Sequence, residues 1–151
     1  MGFSMKTRFV TALAATLMLA SSAAALAQDA RPYDNGPVWE VSSILTKPGH
    51  FDDYMKFIST TWRAEQEALK AKGLVLDYKV LSAADPRENE PDLYLMVEYK
   101  NMAAFDEPLD EQDAMTKQLF GSIPAANKSG IDRESIRTLK GDLLTRELIL
   151  K

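Results

Sequence analysis

Residues 38–45 read Val-Trp-Glu-Val-Ser-Ser-Ile-Leu, followed by Thr46-Lys47-Pro48-Gly49. Side chains alternate along an extended strand. Trp39, Val41, Ser43 and Leu45 therefore share one side, and Val38, Glu40, Ser42 and Ile44 the other. The stretch predicts a strand with apolar character on both faces. Lys47-Pro48-Gly49 stops it and a helix follows. Phe51, Tyr54, Met55, Ile58, Trp62 and Leu69 recur at helical spacing and make one stripe. Asp52 and Asp53 suit the positive end of the helix dipole, and Lys70 and Lys72 its negative end. Gly73 supplies a left-handed stop.

Working outward, Leu74 to Leu81 (LVLDYKVL) alternates as a second strand. The loop from Ser82 to Asp92 carries Pro86, Asn89 and Pro91, which are turn residues. Leu93 to Tyr99 (LYLMVEY) forms the third strand, paired to the second as a hairpin. Asn101 can cap a helical region from Met102 to Ala126. Pro108 interrupts that region, because proline lacks the N–H a helix interior needs. A turn is expected from Asn127 to Gly130, and a last strand from Leu143 to Leu150 (LLTRELIL). Residues 28–37, with Pro32, Asn35-Gly36 and Pro37, read as a flexible leader to one domain, 38–151.

The order β-α-β-β-α-β predicts an α+β, ferredoxin-like split motif, a four-stranded antiparallel sheet with two helices on one face. The other face is expected to be apolar too, with Ile44, Val75, Leu81 and Met96 or their alternates on it. An uncovered apolar face of several hundred Å² is normally an interface. Two sheets are therefore expected to pack face to face as a homodimeric α/β barrel.

Lys6 and Arg8 precede the uncharged run Phe9 to Ala20, and Ala25-Leu26-Ala27 follows. A positive start, a short apolar centre and an A-x-A site are the parts of a secretory signal peptide. Residues 1–27 are expected to be removed on export, leaving a periplasmic or secreted chain with no membrane association. The composition is that of an ordinary globular protein, 46% hydrophobic and 26% charged. A net charge of −4 does not suit nucleic acid, which needs a basic face. The lack of cysteine excludes disulfides, thiolate metal sites and cysteine nucleophiles. No cofactor motif is present, so no cofactor is expected.

Two stretches carry a resemblance. Trp39-Glu40-Val41-Ser42-Ser43-Ile44-Leu45-Thr46-Lys47-Pro48-Gly49 resembles the opening strand of the dimeric α/β-barrel superfamily, NIPSNAP-like proteins above all. Glu98-Tyr99-Lys100-Asn101-Met102-Ala103-Ala104-Phe105 resembles the third-strand-to-helix junction found there and in antibiotic-biosynthesis-type monooxygenases. The resemblance implies the barrel fold. It does not carry the activities over residue by residue. The NIPSNAP-like Arg and Tyr fall on Ser42 and Ile44, and the monooxygenase-like histidine falls on Pro108. The Asn and Trp of haem-degrading relatives fall near Ser42 and Tyr99. Glu40 and Tyr99 are the positions that keep polar character, which argues against haem.

The candidate catalytic residues are Glu40, Tyr99 and His50. Glu40 is a carboxylate on an apolar strand, able to accept a proton or hook a ligand if its side faces the interior. The plainer alternative pairs it with Lys79 or Arg146 at a rim. His50, at the helix start, is either a base or an exposed first-turn residue. Trp39, Ser42, Ile44, Tyr78, Tyr94 and Met96 are candidates to line a site for a small, mostly apolar ligand, and suit a dry core equally. The face taken by the third strand turns on whether it carries a bulge, which would exchange Tyr94 and Glu98 for Tyr99. The acidic run Asp106, Glu107, Asp110, Glu111 and Asp113 lacks the glycine-punctuated loop of a calcium site, and no metal site is expected. The expected function is an exported binding or accessory protein. The alternatives are a cofactor-independent monooxygenase or isomerase and a structural dimerisation module.

Overall fold

A computed structural model describes residues 31–151. The expected signal peptide, 1–27, and the first residues of the leader lie outside the described residues. The elements run β1 (Tyr33–Thr46), α1 (Phe51–Phe57), a π-helical turn (Ile58–Trp62), α2 (Arg63–Ala71), β2 (Asp77–Ser82), β3 (Leu93–Tyr99), a 3-10 turn (Met102–Phe105), α3 (Leu109–Phe120), α4 (Ile123–Arg133) and β4 (Arg137–Leu150). The strands form one open four-stranded sheet in the order β2-β3-β1-β4, all neighbours antiparallel.

Where the chain departs from expectation, a local contact decides. β1 begins at Tyr33, so the end of the expected leader is paired: Tyr33, Asp34 and Asn35 lie opposite Leu150, Ile149 and Leu148. The register shifts between Asn35 and Val38, at Gly36-Pro37. Proline has no N–H to give a ladder, and a bulge absorbs it. A Cβ on Gly36 would come within 3.0 Å of the Glu147 carbonyl oxygen, so the strands close up only around glycine. β2 begins late because Leu74 and Val75 turn their N–H groups back to the Leu69 carbonyl and finish the helix instead. The expected turn at Asn127–Gly130 is helix. Ser122 caps α4 by accepting the Ala125 N–H (3.2 Å), and Lys128 pairs with Asp132 one turn on. A cap and an i,i+4 ion pair outweigh the weak helix propensity of Asn, Ser and Gly. β4 starts at Arg137, six residues before its expected first residue Leu143, and bulges at Gly141 (φ 154°).

β3 pairs without interruption to β1 and to β2, so it carries no bulge. The faces follow from register. Val38, Glu40, Ser42 and Ile44 share a face with Leu93, Leu95, Val97 and Tyr99, and with Tyr78 and Val80 of β2. The helices cover this face. Ile44, Leu93 and Leu95 pack there against Tyr54 and Ile58, with Met55, Phe57, Trp62, Val80 and Ile136 around them. Fully burying an aliphatic side chain of this size contributes about 1.5–3 kcal/mol.

No helix among the described residues covers the opposite face. Ile44 and Val75, expected there, are buried at 2% exposure instead, Ile44 in the core beneath the helices. Leu81 and Met96 do lie on the open face, beside Val41, Leu45, Tyr94 and Leu143. Leu81 and Leu143 remain 49% and 59% exposed.

Candidate functional site

A half-enclosed cleft of about 220 Å³ lies between the helix-covered face and the helices. Glu40, Ser42 and Ile44 of β1 line its floor with Leu95, Leu139 and Asp142. Tyr54, Phe57, Trp62 and Glu65 wall it from the α1–α2 helix, and Arg133 and Arg137 from the α4–β4 junction. The volume falls below the roughly 300–1,000 Å³ of ordinary ligand pockets, so it suits only a compact molecule.

The π turn shapes the wall. The Arg63 N–H reaches the Ile58 carbonyl, five residues back, and the Thr60 hydroxyl bonds the Lys56 carbonyl at 2.7 Å. Single π turns of this kind are rare and occur frequently at functional sites. Trp62 and Glu65 face the cleft, and the neighbouring Gln66 is buried. Burial pushes the Glu65 carboxyl above the usual carboxylate range, against the pull of Arg133.

Glu40 and Tyr99 meet. Val38 lies opposite Tyr99 and Glu40 opposite Val97, so the two are diagonal neighbours on one face. The Tyr99 hydroxyl donates to Glu40 Oε2 at 3.1 Å, and the ring rests 4.8 Å from the centroid of Phe105. Burial first, then the negative charge of Glu40 and the hydrogen bond to it, hold the Tyr99 phenol well above its ordinary value. Tyr99 is therefore a fixed hydrogen-bond donor at neutral pH.

The other end of the cleft is cationic. The Arg133 guanidinium lies over Phe57, 4.6 Å from the ring centroid, and donates to Ser129 Oγ at 2.8 Å. Burial and the adjacent Arg137 both hold its pKa below the ordinary value. Arg137 is buried, with 8% exposure. Glu134 comes within 3.2 Å of Arg137 Nη1, but not in hydrogen-bonding geometry, and neither Nη1 nor Nε finds a partner among the described residues.

Strand order, antiparallel pairing and helices confined to one face define the architecture. The chain has a ferredoxin-like fold. No protein-family model matches the sequence, and no curated protein does. Among solved structures, protein SO0527 from Shewanella oneidensis is similar with a TM-score of 0.50 at 11% identity, over 78% of this chain and 96% of that one. HapK from Hahella chejuensis is similar with a TM-score of 0.49 at 12% identity, over 73% and 91%. A dimeric ferredoxin-like protein from an uncultured marine organism has a TM-score of 0.40 at 15% identity, over 76% and 97%. Identities this low speak to fold and leave activity to the residues of this chain. The fold agrees with the resemblance carried by residues 39–49 and 98–105.

The ferredoxin-like sheet divides the sequence candidates between its faces. Glu40, Ser42 and Ile44 line the cleft, with Tyr99 bonded to Glu40. Tyr78 shares that face but sits towards the edge, giving its hydroxyl to Glu67 and meeting Trp62 edge-on at 5.4 Å. Trp39, Tyr94 and Met96 lie on the open face, away from the cleft. There Lys79 stands 4.8 Å over the Trp39 ring, and the indole N–H donates to Glu147. His50 precedes α1 and pairs with Asp53 through Nδ1 at 2.8 Å; it is no part of the cleft wall. Among the described residues, no three His, Asp or Glu side chains gather to hold a metal, and no helix is long and apolar enough to cross a membrane.

Glu65, Arg133 and Arg137 are cleft residues absent from the sequence candidates. Glu65 had a signal, because it continues the stripe Tyr54, Ile58, Trp62 at helical spacing and is charged. The arginines had none while Asn127–Gly130 read as a turn, since their placement needs α4.

Proposed function

We propose that the chain is an exported small-molecule-binding protein that acts as a homodimer and holds a compact ligand in the cleft between sheet and helices. The observation that carries this reading is Glu40 on the cleft wall with its Oε2 taken by Tyr99. A strand carboxylate oriented by a tyrosine, with Trp62, Tyr54 and Ile44 beside it and charges of both signs around it, gives a small ligand several placed polar groups to bind. The dimer rests on the open face, where Val41, Leu45, Leu81, Met96 and Leu143 form an apolar patch without a covering layer among the described residues. Export rests on the pattern of residues 6–27.

A second reading is favoured by the same pair. A carboxylate facing a small cleft can remove a proton from an activated carbon or oxygen acid, with no cofactor required. Tyr99 would orient Glu40 and keep Oε1 as the oxygen free to act.

Native mass spectrometry of the protein purified from its own host tests the main reading. The expected species is two chains with a bound small molecule that is lost from Glu40→Gln or from a Trp62→Ala variant. A stable single copy overturns the dimer. A dimer that never carries or takes up a small molecule overturns the binding role.

A further inference from the structure

We infer that the ligand of this cleft is a small carboxylate, gripped at its acid end by Arg137 and Arg133. This deepens the binding reading above and rests on it. Arg133 and Arg137 line the same cleft, and two guanidinium groups sharing so small a space repel one another unless an anion lies between them. Arg137 is buried, lines the cleft, and has two nitrogens, Nε and Nη1, with no hydrogen-bond acceptor among the described residues; the half-exposed Glu134 approaches Nη1 at 3.2 Å without hydrogen-bonding it. Leaving a buried charged donor unsatisfied is among the more expensive things a fold can do. A carboxylate in the cleft would supply the charged acceptor that these donors lack. Arg133 is presented beside it by Ser129 and the Phe57 ring, and among the described residues no carboxylate forms an ion pair with it.

The remaining charges select among anions. Glu40, Glu65 and Asp142 also line the cleft. A phosphate or dicarboxylate would set more than one negative charge against these three. A single carboxylate meets the arginine pair and turns its uncharged remainder toward Trp62 and Ile44. At the far wall Glu40 asks for a hydrogen-bond donor or an acidic proton on the ligand. The substrate class is therefore a compact monocarboxylate with an apolar body.

Benzoate and its neutral counterpart benzamide separate the outcomes. Each is titrated into the full mature chain labelled with ¹⁵N, following the Arg137 Nε–H and Trp62 indole signals. The Arg137 signal is assigned by its loss in Arg137→Lys. Benzoate is expected to shift both signals and to bind at least about tenfold more tightly than benzamide, the size expected of charge-assisted hydrogen bonds. Arg133→Met, which leaves the buried Arg137 in place, is expected to narrow that preference should Arg137→Lys fold poorly. Equal affinity for the two probes at Trp62 overturns the carboxylate inference and leaves the cleft a binding site. A cleft that responds to neither probe overturns the inference, while a co-purified neutral molecule in the native dimer would still uphold the binding role.

Discussion

The hydroxyl of Tyr99 donates to Oε2 of Glu40 across 3.1 Å, from one strand to a diagonal neighbour on the next. The bond joins Glu40, near the middle of β1, to the last residue of β3, on the helix-covered face. Removing the donor by Tyr99→Phe leaves a partly buried carboxylate without its partner. The expected loss is about 1.5–3 kcal/mol in urea unfolding, the range for hydrogen bonds to charged groups. Glu40→Gln keeps an acceptor and is expected to lose less. A double-mutant cycle should return a favourable coupling between the two positions; strict additivity would show that the pair does not act as a unit.

The same bond sets an alkaline limit. The Tyr99 phenol is held above its ordinary value, chiefly by burial and then by Glu40, and burial raises Tyr54 as well against the pull of Arg137 and Arg133. A group whose folded pKa is raised stabilises the fold below its unfolded pKa, and that contribution is lost as pH rises through the folded value. Stability should therefore hold up to about pH 10, the value for an unfolded tyrosine, and fall above it. Tyrosinate absorbance checks this. Tyr54 and Tyr99 should ionise together with unfolding, and Tyr99→Phe should lower the slope of stability against pH in that range.

Glu65 gives the opposite test near the acid end. Its carboxyl is raised by burial, so the proton is bound more firmly in the folded chain than in the unfolded one. The stabilising contribution is complete below the unfolded carboxylate pKa and disappears as pH rises through the folded value. At neutral pH the ionised group weighs against the fold, and Glu65→Gln should raise the melting temperature there while changing little at pH 4. A lower melting temperature at neutral pH would mean that attraction to Arg133 outweighs desolvation.

Much of this arrangement is legible in the sequence. Leu93–Tyr99 reads as a strand with the observed bounds, because a short, mostly apolar run with two tyrosines lies between the turn residues Pro91-Asp92 and Asn101. The stripe from Tyr54 to Leu69 reads as one helix, and the π turn within it leaves no mark in the periodicity. Glu40 stands out as a charge among apolar neighbours. Its bond to Tyr99 was not legible, because it depends on β3 having no bulge. Arg137 was missed for a related reason. Nothing local distinguishes it from a surface arginine until the register of β4 against Thr46 buries it.

The open face supplies the last test, and one that depends on assembly alone. Leu81 of β2 and Leu143 of β4 lie on this face, each about half exposed and outside the packed core. A lysine at either position should therefore leave the subunit folded. In a face-to-face dimer the same lysine would be stripped of water against an apolar partner, and burying an unpaired charge costs several kcal/mol. Leu143→Lys is expected to weaken the dimer by about a hundredfold or more, the equivalent of nearly 3 kcal/mol. Sedimentation across a concentration series measures this, with circular dichroism as the control for folding. Ile44→Ala makes the converse case. It opens a cavity in the helix-side core and should destabilise the subunit by about 2–5 kcal/mol. Its effect on dimerisation should follow only from that loss. Should Leu143→Lys leave the sedimentation profile unchanged, the open face is not where two copies meet.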